Sequence, residues 1–224
     1  MEEYLSEREQ WEWVKAQVRE NGPAVLLAVL LALAAVFGWR WWQAHLDQRR
    51  LAAGARYTQM VAALEGGDRT RALVMLGELE REYADSPYTD QAKLLAARVY
   101  VDDGQLDRAA SELANVAGHS RDQELALLAQ LRLARVQIAQ GKPDSALATL
   151  GADAGKSAFA ALYHEVRGDA YFAKGDKREA LREYRSAQQA GGGSNAELLG
   201  LKIADLAAAA PLAAAAGQNP PPAR

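Results

Sequence analysis

Four glycines, Gly67, Gly104, Gly141 and Gly175, recur at intervals of 37, 37 and 34 residues, and each sits at the centre of the same pattern. Five residues after each comes an alanine: Ala72, Ala109, Ala146 and Ala180. Nine after comes a large apolar residue: Leu76, Leu113, Leu150 and Tyr184. Seven before stand Met60, Ala97, Ala134 and Gly168, small in three of the four. Self-similarity at a period of this length restricts a chain to repeat architectures, in which each copy buries its apolar face on the next. Composition selects the helical kind: alanine, the best helix former, is abundant, and β-branched residues are scarce, which argues against a sandwich or barrel. Each glycine then ends a first helix, where a left-handed conformation is cheap without a Cβ. The small residue before it and the alanine after it let two antiparallel helices approach closely. The large residue one turn beyond the alanine fills the seam with the next unit.

The last copy is the fullest, Gly168-x-x-Tyr171 followed by Ala180-x-x-x-Tyr184-x-x-Ala187. It resembles the tetratricopeptide repeat, whose signature places glycine, tyrosine, alanine, aromatic and alanine at these spacings. Four helical hairpins fit into residues 44–190, enough for a solenoid, since about three repeats are needed to bury a continuous core. Beyond Gly191-Gly192-Gly193, Ser194 or Asn195 caps a helix expected to run to about Ala207 and to cover the open face of the last repeat. Residues 208–224 read as an Ala/Pro tail, disordered from Pro211 onward.

The front of the chain is of another kind. From Pro23 to Trp39 no residue is charged, and helix from Ala24 to Trp42 would be about 28 Å long, enough to cross a hydrocarbon core. All five tryptophans lie in the first 42 residues. Trp39, Trp41 and Trp42 suit an interfacial aromatic belt, and Arg40 suits a side chain that snorkels to the headgroups. A cleaved signal peptide is the rival, because Ala32-Leu33-Ala34 mimics a cleavage site. Against it, the preceding 22 residues carry six acids and only Arg8, Lys15 and Arg19, where a signal needs a basic start. Asn21-Gly22-Pro23 is expected to break the helix before the span. Residues 5–19 suggest a short helix with Ser6 and Glu9 as a capping box, either lying on a membrane surface or solvated beside it. Within the span, Ala24, Ala28, Ala32 and Ala35 come closest to a small-residue packing face. Arg40, Arg49, Arg50 and Arg56 after the span outnumber Lys15 and Arg19 before it, which by itself would keep the C-terminal part cytoplasmic. The expected organisation is all-α: a short N-terminal segment (1–22), a single transmembrane helix (23–42), a tetratricopeptide-repeat-like solenoid with a capping helix (43–207), and a tail (208–224).

No catalytic constellation is found. The chain has no cysteine, which excludes a disulfide framework, a thiolate metal site and a cysteine nucleophile. His45, His119 and His164 lack metal-ligand spacing, and His164 reads as a packing residue. Gly151 to Ser157 resembles a phosphate-binding loop only superficially, with three residues between its glycines where four are needed, and it joins two helices. Residues 43–224 carry 22 basic and 23 acidic residues, so no basic excess points to nucleic acid. No cofactor or metal is expected.

A binding surface remains. In a stacked solenoid the first helix of each hairpin lines the concave face. In the glycine frame that face presents Tyr57, Val61, Leu94, Arg98, Val101, Leu131, Arg135, Ile138, Glu165, Asp169 and Phe172. Arg98 and Arg135 occupy equivalent slots in neighbouring repeats, where two guanidiniums can hold a carboxylate of a peptide partner. The commoner fate of such charges is pairing at the surface, here with Asp102, Asp103 or Asp169.

Taken in order, the segments resemble the YfgM-type ancillary subunits of the SecYEG translocon of Gram-negative inner membranes. The resemblance covers residues 1–206. It is carried by Glu20-Asn21-Gly22 before the span, Gly38-Trp39-Arg40-Trp41-Trp42 at its end, Leu131-Arg132-Leu133-Ala134-Arg135-Val136-Gln137, Arg167-Gly168-Asp169-Ala170 and Lys174-Gly175-Asp176-Lys177. It implies a single-pass inner-membrane protein with a cytoplasmic N-terminus and a periplasmic repeat domain. It also implies a non-enzymatic role beside SecYEG and the membrane-anchored periplasmic chaperone PpiD, assisting emerging secreted client proteins. On orientation it opposes the arginine count and is preferred, since long C-terminal domains translocate largely regardless of nearby charge. A scaffold for another cell-envelope complex is the alternative.

Overall fold

The structure, a computed structural model, describes residues 7–151 and 159–216. Among these are nine helices and no strand: α1 (Glu7–Glu65), α2 (Arg69–Glu82), α3 (Pro87–Asp102), α4 (Leu106–His119), α5 (Gln123–Ala139), α6 (Pro143–Leu150), α7 (Ala160–Lys174), α8 (Lys177–Gln189) and α9 (Ala196–Ala216). The chain divides into two compact units, Met1–Ala52 and Ala53–Arg224.

In the second unit the four framing glycines have φ of 80°, 73°, 72° and 88°, and each closes its helix with the same two hydrogen bonds. Asp68 N–H reaches Ala63 O and Gly67 N–H reaches Leu64 O; Gln105 and Gly104, Lys142 and Gly141, and Asp176 and Gly175 repeat the pair, at 2.7–3.0 Å. This is the Schellman turn, which satisfies the last carbonyls of a helix and reverses the chain. Asp68 and Asp176 then cap the following helix through the amides of Arg71 and Glu179.

Every framed position lies where its size demands. Ala72, Ala109, Ala146 and Ala180 are fully buried, as are Met60 and Ala134. Leu76, Leu113, Leu150 and Tyr184 are buried beside them. The core forms successive clusters along the stack: Met60, Ala72, Leu76 and Leu79; then Ala97, Leu113 and Val116; then Ala134, Leu150 and Val166; then Tyr184, Leu199 and Leu206. At the turns, polar pairs tie each repeat to the next: Arg69 with Asp103, Gln140 with Asp107 at 2.9 Å, and Lys174 with Asp144 at 2.6 Å. These pairs are exposed and add little energy.

Two elements run further than their local signals suggest. The break expected at Asn21-Gly22-Pro23 is not made, and α1 continues through it. A proline inside a helix forfeits one backbone hydrogen bond, about 3 kcal/mol, and the long Ala/Leu-rich run after it favours helix enough to offset that cost. α9 extends past Ala207 to Ala216, because the sequence there is almost all alanine. The capping box at Ser6, most of the loop from Gly151 to Ser157, and the tail from residue 217 onward fall outside the described residues.

Gly168 tests the seam. A Cβ there would overlap the Tyr184 ring, whereas one at Gly77, in the middle of α2, would meet nothing within 4 Å. Gly168→Ala is expected to destabilise the repeat domain by about 1–3 kcal/mol through overpacking. Gly77→Ala should stabilise it by about 0.5–1 kcal/mol. Denaturant unfolding followed by circular dichroism reads both signs.

Candidate functional site

In the unit Met1–Ala52, every residue from Leu26 to Trp42 is exposed, including Trp39, Trp41 and Trp42 at 65%, 71% and 56%. Trp41 stacks on His45 one turn later, with ring centroids 6.0 Å apart. Among the described residues one helix is long and apolar enough to cross a membrane, and it is this one. A helix that is apolar on all sides and covered by no protein has its natural cover in hydrocarbon.

The unit Ala53–Arg224 carries a groove on the face formed by its first helices, with α3 packed beside α5 and α5 beside α7. A cavity of about 580 Å³ opens there. Tyr57, Leu94, Arg98, Val101 and Arg135, all expected on the concave face, line it together. Gln91, Leu95, Leu106, Arg132, Val136 and Ala139 line it as well and fall outside that expectation. Tyr57 also packs near Tyr88, with centroids 6.0 Å apart. Burial lowers the pKa of Arg132, and the charges of Arg135 and Arg98 lower it further.

Other expected residues lie elsewhere. Leu131 is buried in the core, with Ile138 packed against the same cluster. Val61 is partly buried in the first repeat and does not line the cavity. Asp169 and Phe172 line a smaller cleft of about 150 Å³ with Tyr184, Lys202, Asp205 and Leu206. His164 places Nδ1 2.7 Å from Glu183 Oε2, and Arg167 Nε donates to the other oxygen of Glu183 at 3.2 Å, a part-buried polar arrangement around the buried Glu183.

Glu165, expected on the groove, is 2% exposed and serves the cap. Its Oε2 accepts the Ser194 amide at 2.7 Å, its two oxygens accept the Ser194 hydroxyl, and Lys202 Nζ lies 3.4 Å from Oε1. Gly193 permits this approach: its φ is +64°, and a Cβ would stand 2.5 Å from Glu165 Oε2. Lys202 also donates to Asp169 at 2.7 Å, as does the Tyr184 hydroxyl. Burial, then the bond to Asp169, pushes the Tyr184 hydroxyl pKa up. For Glu165, burial pulls upward, but the Ser194 hydrogen bonds together with Lys202 and Arg135 outweigh it and hold the carboxyl below its ordinary value. The arginine pairing expected at the surface is not made either. Asp103 is taken by Arg69 and Asp169 by Lys202.

A family model described as a tetratricopeptide repeat-like domain matches residues 15–208. A relative from Escherichia coli (strain K12), named an ancillary SecYEG translocon subunit, is 34% identical over 92% of this chain and 99% of its own. Relatives of the same name from Haemophilus influenzae and Aggregatibacter actinomycetemcomitans are each 27% identical over 90% of this chain and 98% of theirs. Among solved structures, MamA from residue 41 onward, from Desulfovibrio magneticus RS-1, superposes with a TM-score of 0.52 at 17% identity, covering 62% of this chain and 75% of that one. A MamA double mutant gives the same TM-score at 15% identity, covering 70% and 95%; this likeness is one of fold alone. The chain belongs to the family of ancillary SecYEG translocon subunits (YfgM), which have a tetratricopeptide repeat-like domain. That membership and the one apolar helix fit a single-pass inner-membrane protein.

The depressed pKa of Glu165 gives the cap a pH dependence. The stabilisation is fully present above the unfolded glutamate value, about 4.3, and is lost as pH falls through the lower folded value. Glu165→Gln is therefore expected to cost roughly 1.5–3 kcal/mol near neutrality, with the gap to the parent protein narrowing as acid is added. Parallel urea titrations across the acid range measure the gap.

Proposed function

We propose that this family member is a non-enzymatic inner-membrane adaptor of the SecYEG translocon, acting through protein–protein binding by its repeat domain. The observation that carries the reading is the open groove on the concave face, lined by Tyr57, Leu94, Arg98, Val101 and Arg135, in a chain that covers 99% of a relative named a translocon subunit. In this reading residues 23–42 are the span, with Trp39, Arg40, Trp41 and Trp42 at the interface, and residues 43–207 are the binding domain. The N-terminus is cytoplasmic and the solenoid periplasmic.

Covalent attachment to the span supports the adaptor role physically. It confines the binding domain to a thin layer at the membrane, raising its effective concentration toward membrane partners without any new contact. A PpiD-type chaperone, itself anchored in the same membrane, and emerging secreted clients are the partners this arrangement serves best.

Solubilised in mild detergent, the tagged chain is expected to recover SecYEG subunits together with the PpiD-type chaperone. Recovery of neither, with the protein itself intact, contradicts the adaptor role, and recovery of another envelope complex instead favours a scaffold. Protease added to spheroplasts should degrade the C-terminal unit; protection until the membrane is lysed would reverse the orientation.

A further inference from the structure

The groove holds more positive charge than the fold uses. Arg98 on α3 and Arg132 and Arg135 on α5 line a single cavity, on helices that pack side by side. Arg132 and Arg135 stand one helical turn apart, about 4.5 Å along the axis. Among the described residues none of the three makes a salt bridge. Of the acids expected to pair with them, Asp103 is bound to Arg69 and Asp169 to Lys202 and Tyr184, and Asp102 makes no salt bridge with them. Arg135 lends its charge to Glu165, yet the oxygens of Glu165 are already filled by Ser194 and Lys202.

Like charges gathered at one cavity repel, and their repulsion is what lowers Arg132 beyond the effect of burial. An anion bound among them relieves that repulsion. Guanidinium groups favour carboxylates in particular, through bidentate hydrogen bonds. Beside the arginines the wall is aliphatic, with Leu94, Leu95, Leu106 and Val136. The volume of about 580 Å³ lies within the range of about 300–1,000 Å³ usual for ligand clefts.

Resting on the reading of this groove as the protein-binding surface, we propose that its ligand is an acidic–aliphatic peptide segment, with an aliphatic side chain in the cavity and carboxylates held by Arg98, Arg132 and Arg135. A peptide fits better than an anionic membrane surface. The three arginines are exposed, but they line one cavity together with its apolar wall, and a peptide side chain can enter that cavity where a flat bilayer cannot.

The test uses the full chain held in amphipol and a fluorescein-labelled peptide, Ser-Glu-Leu-Glu-Ala-Leu-Glu-Ser, against its analogue with every Glu replaced by Gln. Anisotropy should show the Glu peptide binding at least about tenfold tighter, with the advantage shrinking as salt is raised. The triple variant Arg98→Gln, Arg132→Gln, Arg135→Gln should abolish that advantage while keeping the parental helical circular dichroism signal. The Lys triple variant, charged but without the bidentate fork, should retain part of it. Equal affinity for the two peptides overturns the proposal. So does a triple variant that folds and still prefers the Glu peptide, or arginine-dependent binding seen only with phosphatidylglycerol vesicles. Recovery of SecYEG subunits by the parent chain, scored in parallel, separates the two readings. Recovery without peptide preference defeats this inference alone, and its absence defeats the adaptor role.

Discussion

Close approach between paired helices is the condition on which the rest of this protein depends. Helix axes come together most closely where side chains are small: Ala97 with Ala109 and Ala134 with Ala146 are buried in shared clusters, and Gly168 lies against the Tyr184 ring, while the first hairpin buries Met60 in the same slot. The left-handed glycines make the crossing possible by reversing the chain within a few residues, with the same pair of hydrogen bonds each time. A repeated crossing sets the first helices in a row, and that row forms the face on which the groove opens. The groove is thus a consequence of the seam rather than a separate construction.

The end of the stack needs a different solution, because no further repeat covers it. The chain answers with α9, held not only by Leu199 and Leu206 but by a buried glutamate whose charge is fully partnered. Removing one partner from such a buried charge is more damaging than never having buried it. Glu165, Ser194 and Lys202 therefore act as one unit, and Gly193 is the residue whose missing side chain lets them meet.

Much of this was legible in the residues alone. The glycine frame locates the turns, the buried small residues and the large seam residues, since each follows from a local backbone requirement. The span is equally legible, because hydrocarbon imposes a long uncharged run on any helix that crosses it. The groove was only half legible. Counting from the glycines selected Leu94, Arg98 and Val101, and Leu131, Arg135 and Ile138, but the lining of α5 is Arg132, Arg135, Val136 and Ala139. On α5 the exposed stripe is turned by about one residue from the glycine frame, which buries Leu131 and brings Arg132 to the cavity. A rotation of that size depends on how neighbouring repeats pack, and no single repeat encodes it. Glu165 was misplaced for a related reason. Its partners Ser194 and Lys202 lie 29 and 37 residues away, beyond any local pattern. The continuity of α1 through Pro23 and the length of α9 show local helix propensity overriding punctuation.

The central claim is that the concave groove, and not the outer surface of the solenoid, is where partners bind. Photocrosslinking in living cells tests it most directly, with a photoreactive amino acid placed at Val101 on the groove or at Val74 on α2, 41% and 57% exposed respectively. Discrete adducts with a translocon subunit, a membrane-anchored chaperone or a secreted client from position 101, and few from position 74, are the predicted result. Adducts that are equal from both positions, or that arise from position 74 alone, would contradict it.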